Sequence, residues 1–202
     1  TGTPVTAGET QFTVTVTGQN AAGNPKSDVL DYIVKVSDFS LFPYRLDLTL
    51  SGYTGDSNLT DFPVLVDFHP GLPKFTYNSF LSPTGDDLRF FAATGQELSY
   101  EIEAWNPLGH TRAWVRVPTI EGNSTVITAA WGNPAAATAP SYRSDGTVWS
   151  NGYHGAWHFT ELITDSFADS TSMSHHGSSV GATISTAGMV GGAVSLDGFD
   201  DY

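Results

Sequence analysis

The feature that most constrains this chain is a two-residue alternation of apolar and polar side chains that returns along most of its length. Phe12, Val14 and Val16 alternate with threonines, and Tyr44, Leu46, Leu48 and Leu50 alternate with Arg45, Asp47 and Thr49. Phe62, Val64, Val66 and Phe68 repeat the pattern, as do Leu98, Tyr100 and Ile102, and then Ala113, Val115 and Val117. Successive side chains of a strand point to opposite faces, so each run becomes a strand with one buried face, whereas a helix would scatter the same residues around its axis. The run from Ser124 to Trp131 is more continuously apolar, as expected of a strand covered on both sides. Clusters of Gly, Pro, Asn and Asp at 51–57, 70–73, 83–87, 106–109 and 121–123 separate the runs. Short strands punctuated in this way predict an all-β fold, an antiparallel β-sandwich of jelly-roll-like type.

Composition bears on what such a fold can do. With 40% hydrophobic and 12% aromatic residues there is ample material for a core. The net charge is −13, and the eight cations are scattered singly, which excludes the basic stripe that a nucleic-acid phosphate backbone requires. No run approaches the ~18 apolar residues of a membrane helix, so no membrane insertion is expected in this stretch. The chain has no cysteine, which is compatible with export of a domain whose core is sufficient without disulfides. A nucleophile elbow, a phosphate loop and a dinucleotide fingerprint are all missing from the sequence, so the residues in view are expected to be non-catalytic.

Several residues nevertheless carry usable chemistry. Glu101 and Glu103 fall on one face of a strand, the arrangement of an acid and base pair, but same-face neighbours lie closer than such a pair across a sugar. The expectation is a solvated strand face, with a shared cation or a salt bridge to Arg112 or Arg116 as the other reading. Trp114 and Arg116 lie opposite Ala113, Val115 and Val117 on their strand, which makes Trp114 the best of five tryptophans for stacking on a sugar, against core packing. Trp114, Arg116, Glu101 and Glu103 are therefore the candidate ligand-binding residues. Asp86 and Asp87 follow Gly85 in a turn, where capping of the local backbone is favoured over calcium. Asp169, Asp197, Asp200 and Asp201 lack EF-hand spacing, and turn capping or strand-end hydrogen bonding is what the residues themselves predict. His175 and His176 sit in a Ser/Gly loop and are expected to be solvated, and His158, opposite in direction to Trp157, is expected to be hydrogen-bonded.

Three segments follow from the boundaries near Val36 to Phe42 and at the small-residue stretch Gly132–Pro140, and each carries a resemblance. Thr1-Gly-Thr-Pro4 through Phe12-Thr-Val-Thr-Val-Thr17, with Tyr32-Ile-Val-Lys-Val36 beyond a polar hairpin at Gly23-Asn24-Pro25, resembles the closing strands of bacterial Ig-like domains (1–37). Tyr44-Arg-Leu46, Leu59 to Val66, Gly85 to Phe90, Leu98 to Trp105, Ala113 to Pro118 and Trp131-Gly-Asn133 resemble the bacterial domain of unknown function numbered 2341 (38–135). After a linker at 136–146, Gly155-Ala-Trp-His-Phe159, Ala168-Asp-Ser170 and Gly192 to Tyr202 resemble the opening of a laminin-G-like, concanavalin A-like jelly roll (147–202).

These resemblances imply one whole sandwich between partial β-sandwich segments of two others, within a larger extracellular or cell-surface bacterial protein. They also imply adhesion or carbohydrate binding, with glycans or other surface proteins as partners, and the laminin-G-like resemblance implies calcium as a candidate cofactor, with Asp169, Asp197, Asp200 and Asp201 as its candidate ligands. The alternatives are an accessory, substrate-positioning region of a polysaccharide-degrading enzyme and the extracytoplasmic part of an envelope transport protein. A half jelly roll leaves open edges and an uncovered face, so poor order or packing that depends on a neighbour is expected there.

Overall fold

The structure, a computed structural model, describes residues 8–19, 25–36, 41–161, 166–185 and 188–200. It is built from antiparallel strands with a few single turns of 3-10 helix. Near the start, β1 (Gly8–Gln19) and β2 (Pro25–Val36) pair as one long hairpin in which Phe12 faces Tyr32 across the ladder. The tip expected at Gly23-Asn24-Pro25 lies largely outside the described residues, as does most of the boundary after Val36.

The main body is a β-sandwich. One sheet has four strands in the order β3 (Tyr44–Thr49), β9 (Val126–Trp131), β5 (Arg89–Ala92), β6 (Glu97–Leu98). The other has three, in the order β4 (Leu59–Phe68), β8 (Thr111–Ile120), β7 (Tyr100–Ala104). The alternation expected from the sequence is realised most clearly in β8, where Ala113, Val115 and Val117 are buried and Arg112, Trp114 and Arg116 between them are not. Val64 faces Val115 and Tyr100 faces Val115 from the other side, so one row of side chains from three strands turns inward together. The continuous run in β9 is explained by its place between β3 and β5: Ala129 packs into the main core, whereas Ala130 packs behind the sheet against Phe42 and Phe91.

The core between the sheets is aromatic. Phe68, Leu88, Phe90, Leu98, Tyr100, Val115 and Trp131 are essentially inaccessible, and full burial of each such side chain contributes about 1.5–3 kcal/mol. Phe80 stacks on Trp131 at 5.1 Å, and Trp105 meets Phe80 edge-on at 5.1 Å, closing the end of the core. That closure depends on Gly85. Its φ is +68°, and a Cβ there would lie 2.2 Å from the Trp105 ring. The Trp105 indole N–H donates to the Pro83 carbonyl at 2.7 Å and holds the ring over the turn.

Residues 136–146, expected as a linker, are held to the sandwich. Tyr142 packs against the main core, edge-on to Tyr100 at 5.8 Å. Arg143 pairs with Asp86 at 2.7 Å, and the buried Arg89 donates to the carbonyls of Ala136 and Thr138. Beyond it, Trp149 leads into a segment that crosses the outer face of the three-stranded sheet. Bridges join Trp157 to Asp169 and Phe167 to Gly177, and a short hairpin of β10 (Thr183–Ser185) and β11 (Ala193–Ser195) follows.

Candidate functional site on the outer sheet face

The register that turns Tyr100 and Val115 inward turns the residues between them outward. Glu101 faces Trp114 across β7 and β8, and Trp114 faces Leu65 across β8 and β4. Pro63 faces Arg116 in the next outward row. The four residues singled out in the sequence, Glu101, Glu103, Trp114 and Arg116, thus share one surface. That surface is not bare. The following segment lies on it, and its side chains reach Glu101 and Glu103.

The contacts are specific. The Trp149 indole N–H donates to Glu101 Oε2 at 2.6 Å, and the Ser170 hydroxyl donates to Glu101 Oε1 at 2.7 Å. The Trp114 indole N–H donates to Glu103 Oε2 at 2.9 Å. Between the carboxylates stands His158, whose Nδ1 meets Glu103 Oε2 and whose Nε2 lies 3.4 Å from Glu101 Oε1. Only 2% of the Glu103 side chain, 18% of Glu101 and 16% of His158 remain accessible. The solvated strand face expected for the two glutamates is therefore corrected: His158 and Trp149 from the later segment cover it, together with the Trp114 indole of the neighbouring strand. The alternative pairing with arginine is corrected too, because Arg116 binds Asp61 at 3.0 Å and Arg112 lies 3.5 Å from Asp67.

Gly191 completes the cover. With φ +71° and the position of an absent Cβ only 1.7 Å from Glu103 Oε1, its backbone rests directly on the carboxylate. Burial by itself pushes the His158 imidazole down, but hydrogen bonding to Glu101 and Glu103 and their charges outweigh it and hold the ring up at about 10. Burial likewise pushes Glu101 up, and its bonds to His158, Ser170 and Trp149 outweigh this and keep it below the usual carboxylate range. At neutral pH His158 is thus cationic and Glu101 anionic. A general acid or base works best with a pKa near the working pH, and these two groups are held away from it on opposite sides. The cluster binds two parts of the chain together.

Next to this seat runs an apolar trough of about 770 Å³. Its rings are Tyr53, Phe62 and Trp114 from the sandwich and Trp149 and Tyr153 from the segment docked on it. Trp114 meets Trp149 edge-on at 5.4 Å, and Trp149 meets Tyr153 at 5.4 Å. Trp114 therefore joins two roles, packing and wall, where the sequence alone leaves stacking and core burial as alternatives.

The aspartates serve backbone geometry. Asp87 is buried and accepts from the amides of Leu81, Ser82 and Gly132, while Asp86 holds Ser82, Thr84 and Arg143. Asp169, also buried, accepts from the amides of Ala156, Thr171 and His175 and from the Thr171 hydroxyl. Burial pushes its carboxyl up, and these four donors outweigh it and drive the value far below the ordinary range. Asp197 caps the Phe199 amide, Asp200 is exposed, and Asp201 lies outside the described residues. Among the described residues no group of three or more His, Asp or Glu side chains is placed to hold a metal. The pair His175 and His176 is exposed, with His175 Nδ1 2.8 Å from the His154 carbonyl and His176 Nδ1 accepting from the Asp169 amide.

Sequence reasoning missed Trp149, Tyr153 and Ser170 as partners of this face. The only local signal was the direction of His158, opposite to Trp157. No helix among the described residues is long and apolar enough to cross a membrane. No curated protein and no solved structure matches the chain. A family match does exist, and it runs from the turn before β5 through β9 and past the resemblance boundary at 135 to include Tyr142, Trp149 and His158. Residues 84–161 match the family described as Domain of unknown function (DUF2341), in agreement with the resemblance read from the sequence over this stretch.

Proposed function

We propose that this chain is a non-catalytic module of a larger bacterial surface or secreted protein, serving adhesion through glycan binding, with its outer sheet face acting as the seat that fixes the following segment. The observation that carries the non-catalytic half is the locked state of Glu101, His158 and Glu103. These are the paired carboxylates on which an acid and base reaction would depend, and they are tied through His158 to each other and by hydrogen bonds to two indoles and Ser170. The binding half is supported by the aromatic trough beside them. Incubation with arrayed plant, algal and microbial glycans, scored for retention and for release of reducing ends, tests both. Retention without release is the expected result. Release that disappears in Glu101→Gln or Glu103→Gln would overturn the non-catalytic assignment, and a blank array would overturn glycan binding.

A further inference from the structure

We propose that the trough over β4 and β8 is a composite site for a neutral glycan, assembled only when the segment carrying Trp149 and Tyr153 is seated on the sandwich. The inference rests on the glycan-binding reading above and names the site, the ligand class and the condition for its formation.

The lining defines the chemistry. Among the described residues none that borders the trough is charged, although the chain as a whole carries a net charge of −13. An anionic glycan, rich in uronic acid or sulfate, would meet no cation inside and repulsion outside. A pyranose ring without charge presents C–H groups on one face and hydroxyls around its edge. The trough offers the complement: ring surface from Tyr53, Phe62, Trp114 and Tyr153, with the polar residues Thr49 and Ser51 in its lining. The indole N–H groups of Trp114 and Trp149 are already committed to Glu103 and Glu101, neither of which borders the trough, so the edges that remain toward it are apolar. A volume of about 770 Å³ lies within the range of small-molecule sites and leaves room for more than one sugar ring.

The two sides come from different parts of the chain. Phe62 and Leu65 stand on β4 and Trp114 on β8, whereas Trp149 and Tyr153 belong to the segment held by His158. His158 does not border the trough. It nevertheless bears on whether the trough forms, because it pins the segment to Glu103 a few residues beyond Tyr153 and supplies the charge beside Glu101, to which Trp149 and Ser170 bond. The site is thus continuous with the intramolecular interface and shares Trp114 and Trp149 with it.

Calorimetric titration of the full chain with uncharged oligosaccharides of glucose, mannose, xylose and galactose, beside oligogalacturonate and a sulfated galactan, provides the test. Binding to at least one neutral series and none to the anionic ones is expected. Tyr153→Ala and Phe62→Ala should each weaken that binding about tenfold or more, and Tyr153→Phe should retain it, because the ring and not the hydroxyl makes the contact. His158→Leu should lose it while the sandwich keeps its own cooperative unfolding. Binding confined to anionic glycans, or neutral binding unchanged in both alanine variants, overturns the trough and leaves glycan binding elsewhere on the module standing. Neutral binding that survives His158→Leu overturns the composite assembly. No binding to any saccharide overturns both readings, and so does capture of apolar peptides or self-association through Phe62 in its place.

Discussion

His158 shows how much one residue can decide. A histidine flanked by two carboxylates and largely removed from water supplies the positive charge that makes their burial tolerable. Replacing it with leucine leaves Glu101 and Glu103 facing each other without a cation, and the expected loss is about 3–5 kcal/mol of docking stability, read in chemical denaturation. The same pair sets a pH dependence. His158 is raised from 6.5 to about 10, so its contribution is complete below pH 6.5 and is lost as pH rises through about 10. Glu101 is lowered from 4.5, so its contribution is complete above pH 4.5 and is lost as pH falls below that value. Docking should therefore be strongest between about pH 4.5 and 6.5, followed by the fluorescence of Trp149 and Trp114. A flat profile in the wild-type chain, or one unchanged in His158→Leu, would refute the role given to the imidazolium.

At the scale of elements, buried aspartates join pieces of chain that hydrophobic contact alone would leave loose. Asp87, at the entrance to β5, ties the amides of Leu81 and Ser82 to that of Gly132 at the exit of β9. Asp87→Ala leaves three amides without their acceptor and should cost about 3 kcal/mol, measurable as a fall in the denaturation midpoint at unchanged slope. Asp169 has the same office between Ala156, Thr171 and His175. Since its oxygens already accept four donors, addition of a chelator should leave the melting temperature unchanged, whereas Asp169→Ala should lower it. A chelator-dependent fall would restore calcium to this turn. The turns themselves were legible, because Gly85-Asp-Asp87 and Ala168-Asp-Ser170 are recognisable patterns. Their distant partners were not, since a carboxylate can reach any amide within a few ångströms and spacing in the chain carries no information about that.

At the scale of the molecule, the sandwich does not stop where its last strand stops. The main core includes Tyr142, the back of the four-stranded sheet is capped by Ala136, and Trp149 covers Glu101 and Trp114. The family match to residue 161 runs over the same ground. A protein of residues 41–135 should consequently be less stable than one of residues 41–200, with a lower unfolding midpoint and a greater tendency to self-associate through Trp114 and Leu65. Equal midpoints would show that the segment adds nothing to the sandwich.

The sequence by itself determined the strands, their inward faces and the antiparallel sandwich, because side chains at alternate positions of a strand must separate into two faces and only one of them can be apolar. It also determined that Glu101, Glu103, Trp114 and Arg116 share a surface, since that follows from the same alternation once β7 and β8 pair. Tertiary structure alone decided what that surface does. The chain beyond residue 146 returns over it, sets His158 between the two carboxylates and Trp149 against Trp114, and converts an apparently solvated face into a buried joint beside an aromatic trough. Contacts 48 and 69 residues apart bring Trp149 and Ser170 to Glu101, and no periodicity within a strand encodes a partner at that distance.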